Sequence, residues 1–351
     1  MIDKSKIKKI LIIRTDRIGD VVLSTPVIKA VREAFPQAYI AVMVRPYTKD
    51  IVIGNPYLDE VIVYDKYGVH KSWRGTLKFA LSLRRKKFDL ALILHPTNRV
   101  HIVSFLAGIP SRIGYRKKCG FLLTGSIEDK KHLGKKHELE YNFDLTELIG
   151  IKKIDRTLFM PVAEKDKQFA GKVLKKNGFK NGDNLITIHP GSSCSSKRWL
   201  PQNFARLSDR LSMLDNIKVI MIGGPADKNI ARQVSGYVKL PIVNLCGQLN
   251  LKELAGVIQA SRLFITNDNG PMHIASAVGT PVIAIFGRNQ AGLSPVRWGP
   301  TGEKDVVLHK DVGCKQCLAH NCRKGFKCLK AITVEEVAEE VNKLLRRHCP
   351  A

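Results

Sequence analysis

The 351-residue sequence is short of several things that would have settled its class at once. No apolar run approaches the roughly 18–20 residues that a spanning helix needs, so an integral membrane protein is excluded. The apolar stretch before Arg14 is too short for the core of a secretory signal, and the chain reads as cytosolic. The phosphate-binding pattern GxxxxGK[ST] does not occur. Nor does the dinucleotide fingerprint, since the loop at 14–26 has one glycine where that pattern needs three. No cluster of carboxylates resembles a Mg²⁺ site. There is no internal repeat and no low-complexity tract. Aromatic residues are only 7% of the chain, with no stacking platform and no known nucleic-acid module. Acidic residues are scarce too: 31 Asp and Glu face 58 Lys and Arg, a net charge of +27.

What is present is a globular composition. Hydrophobic residues make up 44% and charged residues 25%, which excludes a disordered chain. The basic excess calls for an anionic partner without choosing among nucleic acid, an acidic substrate and a phospholipid surface. It is uneven: positions 1–200 hold 38 basic and 19 acidic residues, and positions 201–351 hold 20 and 12.

Short apolar runs alternate with helical patterns from end to end. Runs at 8–14, 39–45, 60–65 and 88–95 read as strands, with helices expected at 21–34 and 74–87. A second set contains runs at 185–190, 218–224, 263–267 and 281–287, with a helix over 203–214. Apolar runs without polar alternation are what parallel strands covered on both faces look like. Repeated βα units predict an α/β protein of two doubly wound domains, 1–160 and 161–351, with the seam in the charged stretch at 150–165. A final helix is expected over 333–348, opened by a capping box of Thr333 and Glu336.

In open parallel sheets, ligands bind beyond the carboxyl ends of the strands, and five loops there could carry chemistry. In the first, 14–26, Asp20 stands where a helix begins. Spacing alone favours an N-cap; the functional reading is a carboxylate able to accept a proton from a hydroxyl. Asp16 poses the same alternative. In the second, 189–207, Gly191, Ser192 and Ser193 allow close approach of a phosphate, and Lys197 with Arg198 would neutralise it. In the third, 222–229, Asp227 is either a first-turn acid or a partner for a ribose hydroxyl.

The fourth loop, 264–287, runs from a buried strand through Asp268, Asn269 and Gly270 into Pro271 at the expected first helical position, then Met272 and His273. A helix start there is an anion site, although Pro271 removes one donor. His273 by itself reads as a structural histidine. The fifth is Cys314, Cys317, Cys322 and Cys328, with His320 among them and His309 just upstream. Four thiols so close could form a structural zinc knot; free thiols or disulfides are the alternative.

Together these segments resemble glycosyltransferase family 9, the ADP-heptose:lipopolysaccharide heptosyltransferases, from ILIIRTDRIGDVVLSTPVIKAVREAFP through HPGSS, KRWLPQNFARL and GGPADKNIA to LFITNDNGPMHIASAVGTPVIAIFG. The resemblance covers nearly the whole chain and implies a GT-B architecture: two Rossmann-like domains facing across a cleft. The N-terminal one would take the acceptor and the C-terminal one the nucleotide sugar, with the last helix packing back across both. It makes Asp20 the general base and Lys197 the cation on the donor diphosphate. Ser192, Ser193, Gly270, Met272 and His273 would line the diphosphate, Asp268 would lie near the donor sugar, and Asp227 at the ribose.

The implied reaction is inverting transfer of heptose from ADP-heptose to the lipopolysaccharide inner core, with no cofactor needed for catalysis. Another nucleotide-sugar transferase or an epimerase is the alternative, and no nucleic-acid partner is expected. The implied lipid acceptor also explains the charge asymmetry. It places the enzyme peripherally on the anionic inner face of the inner membrane, with the basic segments 84–87, 116–118 and 130–136 as its rim, each cation contributing about 1 kcal/mol at most.

Overall fold

The computed structural model describes residues 3–153, 155–180 and 182–346. The chain divides into two compact units, Met1–Pro161 and Val162–Ala351. Each is built on a six-stranded, wholly parallel sheet. In the first unit the strands are β1 (Lys9–Ile13), β2 (Tyr39–Val44), β3 (Glu60–Val63), β4 (Leu90–Ile93), β5 (Ser111–Arg116) and β6 (Gly125–Glu128). They lie in the order β3-β2-β1-β4-β5-β6. In the second they are β7 (Asn184–His189), β8 (Ile217–Met221), β9 (Val243–Asn244), β10 (Leu263–Asn267), β11 (Val282–Phe286) and β12 (Val306–His309). Their order, β12-β11-β10-β7-β8-β9, is the same arrangement repeated.

This is the doubly wound order whose switch point lies between the first and fourth strands. In the first unit β1 pairs with β2 and β4, so the loops after β1 and β4 diverge above the switch. In the second, β7 stands between β8 and β10 and the same divergence recurs. The central strands are apolar because helices cover both faces: Ile10 to Ile13 and Leu263 to Ile265 are fully buried.

Several elements differ from the sequence-based expectation. The helix expected over 21–34 is two, Ile18–Val22 and Thr25–Ala34. Pro26 has no N–H to continue the first and sits in the first turn of the second. Strands β5, β6, β9 and β12 gave no clear apolar run. β6 is an edge strand with half its residues exposed, and β9 has two residues. The last helix spans Val334–Arg346, and residues 347 and 348 of the expected helix lie outside the described residues. Its capping box forms, with Glu336 N–H donating to Thr333 Oγ1 and Thr333 N–H donating to Glu336 Oε2. Its buried face, Val337, Ala338, Val341 and Leu344, completes the core of the second unit. Among the described residues no helix is long and apolar enough to cross a membrane.

Candidate active site

In the first unit, chemistry gathers on one buried cation. Arg14 directly follows β1 and is 2% exposed. Its NH1 donates to the carbonyl of Leu94, at 3.0 Å, and to Asn142 Oδ1, at 3.2 Å. Its NH2 donates to Asp20 Oδ1 at 2.6 Å and to Glu138 Oε1 at 3.1 Å. Its Nε lies 3.1 Å from Asp16 Oδ1. Lys131 also donates to Glu138 Oε1. Three carboxylates therefore share two cations in a water-poor pocket at the switch point.

Asp20 does not cap. The helix Ile18–Val22 begins after Arg17, which places Asp20 inside its first turn with its carboxylate turned to Arg14. Burial, then the charge of Asp16, pushes the Asp20 carboxyl up to about 6, with Arg14 opposing. Asp16 is raised too, first by burial. The loop after β4 brings His95 to the same place: its Nδ1 is 3.3 Å from Thr15 Oγ1 and its Nε2 is 3.8 Å from Asp16 Oδ2. Burial and Arg14 depress His95 to about 3, so the ring is neutral and adds no charge. Among the described residues no hydrogen bond engages Asp20 Oδ2, which remains free to receive a proton.

The second unit repeats the construction with opposite sign. Lys197 donates to Asp268 Oδ1 at 2.9 Å, and Arg288 NH2 donates to Asp268 Oδ2 at 2.8 Å. Two cations thus flank one carboxylate above the ends of β7, β10 and β11. Arg288 is 4% exposed, and its buried Nε has no hydrogen-bond partner. The helix Gly270–Ala277 starts here, with Gly270 first and Pro271 second rather than first. Asn269 caps it by accepting from Met272 N–H, so of the first-turn donors at 270–272 only that of Gly270 is left for a ligand. Met272 and His273 are buried. Ser192 Oγ donates to the carbonyl of Cys194, while Ser193 is exposed on the loop.

Asp227 ties loops together. Its Oδ2 accepts from Gly224 N–H at 2.8 Å and sits 3.1 Å from His189 Nε2. Asn269 Nδ2 lies 2.8 Å from His189 Nδ1, and its Oδ1 is the acceptor for the cap, so Nδ2 donates. His189 therefore carries its proton on Nε2 and donates to Asp227. A Cβ at position 191 would fall 2.1 Å from Asp227 Oδ1, so only glycine allows this closure.

The cysteines do not assemble a metal site. Among the described residues no group of three or more His, Cys, Asp or Glu side chains could hold an ion. Instead Cys328 Sγ donates to the carbonyl of Gly287, Cys317 Sγ accepts from Asn289 N–H and Cys322 Sγ accepts from Phe326 N–H. Cys314 is exposed, and none of the four is in a disulfide. His320 Nδ1 is 3.3 Å from Ser196 Oγ, so the segment is pinned to the loops that carry Lys197 and Arg288. Of the two readings the sequence left open, this placement is that of free thiols.

Sequence reasoning overlooked Arg14, His95, Glu138 and Arg288. A shared signal existed for two of them, a cation at or just after the carboxyl end of a fully apolar strand. His95 and Glu138 had none, because their partners are remote in sequence.

Two doubly wound units in one chain, each with charged loops at its switch point, are the construction of the GT-B fold class, which by itself does not fix an activity. The profile of glycosyltransferase family 9 (heptosyltransferase) matches residues 76–327, and the chain belongs to that family. It is 26% identical over 353 residues to lipopolysaccharide heptosyltransferase 2 of Escherichia coli K12, covering 96% of this chain and 98% of that one. Its fold is similar to a glycosyl transferase family 9 protein of Veillonella parvula, with TM-score 0.88, 26% identity and 99% of both chains covered. It is also similar to the ADP-heptose lipopolysaccharide heptosyltransferase II of E. coli, with TM-score 0.80, 25% identity, and 97% of this chain and 99% of that one covered.

Proposed function

We propose that the chain transfers a heptose from ADP-heptose to the inner core of lipopolysaccharide, with inversion, the first unit taking the acceptor and the second the nucleotide sugar. The observation that carries the mechanism is Asp20: a desolvated carboxylate with one oxygen held by Arg14 and the other open. It takes the proton of the acceptor hydroxyl as that oxygen bonds to the anomeric carbon. The bond from that carbon to the diphosphate oxygen breaks, ADP departs with the electron pair, and the proton is later released to water. Lys197 and the Gly270 N–H receive the diphosphate, and Arg288 holds Asp268 beside them. Preorganised donors of this kind are often the largest catalytic contribution. Full-length similarity to relatives named for this activity supports the choice of donor and acceptor.

The test is turnover of ADP-heptose with a lipid A acceptor bearing Kdo, beside other ADP- and UDP-sugars. Product from ADP-heptose without acceptor favours an epimerase. Product only from a different nucleotide sugar overturns the donor.

Two predictions follow from the geometry. Lys197→Ala is expected to lower kcat/KM by about 10²-fold, with Lys197→Arg partly restoring it; steady-state kinetics showing less than a threefold change would remove Lys197 from the diphosphate. Because a base works only when deprotonated, kcat/KM is expected to rise with pH through about 6, where the Asp20 carboxyl ionises, and to level above it. Asp16 and Asp20 share Arg14, so this limb belongs to the pair. A limb centred near pH 4 would show that the carboxylates are solvated during turnover.

The enzyme works, in this reading, on the inner face of the inner membrane. Five of the eleven Lys and Arg in the basic segments foreseen as its rim pair with carboxylates of the first unit. Lys86 binds Glu60, Lys117 binds Asp129, Lys130 binds Glu128, and Lys136 binds Asp144. Lys131 is buried against Glu138.

A further inference from the structure

The helix Trp73–Lys86 is apolar over a wider arc than the first unit covers. Thr76, Phe79, Ala80 and Leu83 are buried, the last three in the core of the first unit. Flanking that buried arc, Trp73, Leu77 and Leu81 are 64, 46 and 45% exposed. Positions i, i+4 and i+8 lie one above another on a helix, so these three form a continuous apolar stripe facing outward. Arg74 and Lys78 run beside it, and Arg84, Arg85 and Lys86 close the helix, which contains no Asp or Glu.

The neighbouring surface has the same character. Val69 is exposed just before the helix, and the exposed ring of Phe105 lies under the Arg112 guanidinium, 5.5 Å from its centroid. An apolar stripe on a helix that carries cations and no carboxylate is what the boundary between anionic headgroups and acyl chains accommodates.

We infer that this face is a docking surface for an anionic phospholipid bilayer, with the stripe seated at the headgroup boundary and Arg74, Lys78 and Arg85 among the phosphates. Its place relative to the site gives it a purpose. The segment leading into the helix is tied to the acceptor loop: Lys66 Nζ donates to the Thr15 carbonyl, and Arg99 donates to the carbonyls of Lys66 and Lys71. Tyr47 OH donates to the Asp16 carbonyl, and the Arg45 guanidinium lies over both Tyr47 and Tyr67. The surface and the Asp16–Asp20 loop therefore belong to one rigid edge of the first unit. Seating the helix at a bilayer holds that loop beside an acceptor whose acyl chains are embedded there. The last step rests on the proposed lipid acceptor; the binding surface itself does not.

The test is flotation of the full-length protein with phosphatidylcholine vesicles containing about one-third phosphatidylglycerol, beside phosphatidylcholine alone. The wild type is expected to float with the anionic vesicles and to release in high salt. Trp73 fluorescence is expected to be quenched by acyl chains brominated near the headgroup. The triple variant Trp73→Ser/Leu77→Ser/Leu81→Ser is expected to bind at least about tenfold more weakly, and Arg74→Glu/Lys78→Glu to lose the preference for anionic lipid. All five positions are exposed, and an unchanged far-ultraviolet circular dichroism spectrum and melting temperature verify that the variants fold. Undiminished binding by the triple variant, absence of Trp73 quenching, or binding only to native membranes stripped of none of their proteins overturns the surface. Turnover separates the two ideas. If the triple variant loses transfer to vesicle-embedded acceptor but keeps it on a deacylated acceptor, both stand. If no acceptor is glycosylated although vesicles are bound, the transferase reading fails and the surface stands.

Discussion

Asp20→Asn is expected to lower turnover by about 10²–10⁴-fold, the usual contribution of a positioned general base, while thermal stabilisation by ADP stays as in the wild type. The amide is nearly isosteric, so it can still accept the Arg14 hydrogen bond through its oxygen. What it cannot do is take a proton. The substitution also leaves Asp16 and Glu138 facing Arg14 and Lys131, an even balance of charge where the wild type has a surplus carboxylate. The variant is therefore expected to unfold at the same temperature as the wild type or higher, which separates lost chemistry from lost structure. Turnover above about a tenth of the wild-type rate would move the base elsewhere, with Asp16 the next carboxylate to examine.

Arg14→Met is the substitution expected to damage stability most. Methionine fills similar space but leaves Asp16, Asp20 and Glu138 buried together with Lys131 as the remaining cation bonded within the cluster. Removing one partner from a buried ion cluster costs about 3–5 kcal/mol, or roughly 10 °C in the melting temperature of a unit this size. The loss should depend on pH. Without Arg14 the Asp16 and Asp20 carboxyls, already raised by burial, are raised further above their unfolded values, so stability is retained at low pH and falls as pH rises through those raised values. Thermal unfolding should show a small deficit near pH 5 and a larger one at pH 7–8. A deficit constant across that range would mean that packing, rather than charge, is what Arg14 supplies.

The core strands and the edge strands were legible to different depths. The apolar runs that became β1, β2, β4, β7, β10 and β11 are buried on both faces, and burial of that kind is written directly into residue type. The capping box at Thr333 was legible because its partners are three residues apart. β6 and β9 were not, since a short edge strand owes its conformation to the neighbour it pairs with. The site shows the same division. The loops holding Asp20, Lys197 and Asp268 were found because βα turns announce themselves by position. Their partners were not: Arg14 meets Glu138 across 124 residues, and Lys197 meets Asp268 across 71.

Sequence by itself determined that this is a doubly wound α/β chain, rich in positive charge and carrying phosphate-sized loops at strand ends. Local propensity and hydrophobic period suffice for that. Tertiary structure decided what the charges do. It made Asp20, which spacing alone reads as a cap, a desolvated carboxylate, and it set Asp268 between two cations. It engaged Asp227 and the cysteines in holding loops, and it left Trp73, Leu77 and Leu81 exposed beside the cations of their own helix. The reason is physical: a charge takes its strength from the dielectric around it and from its nearest neighbour, and only the folded chain sets either.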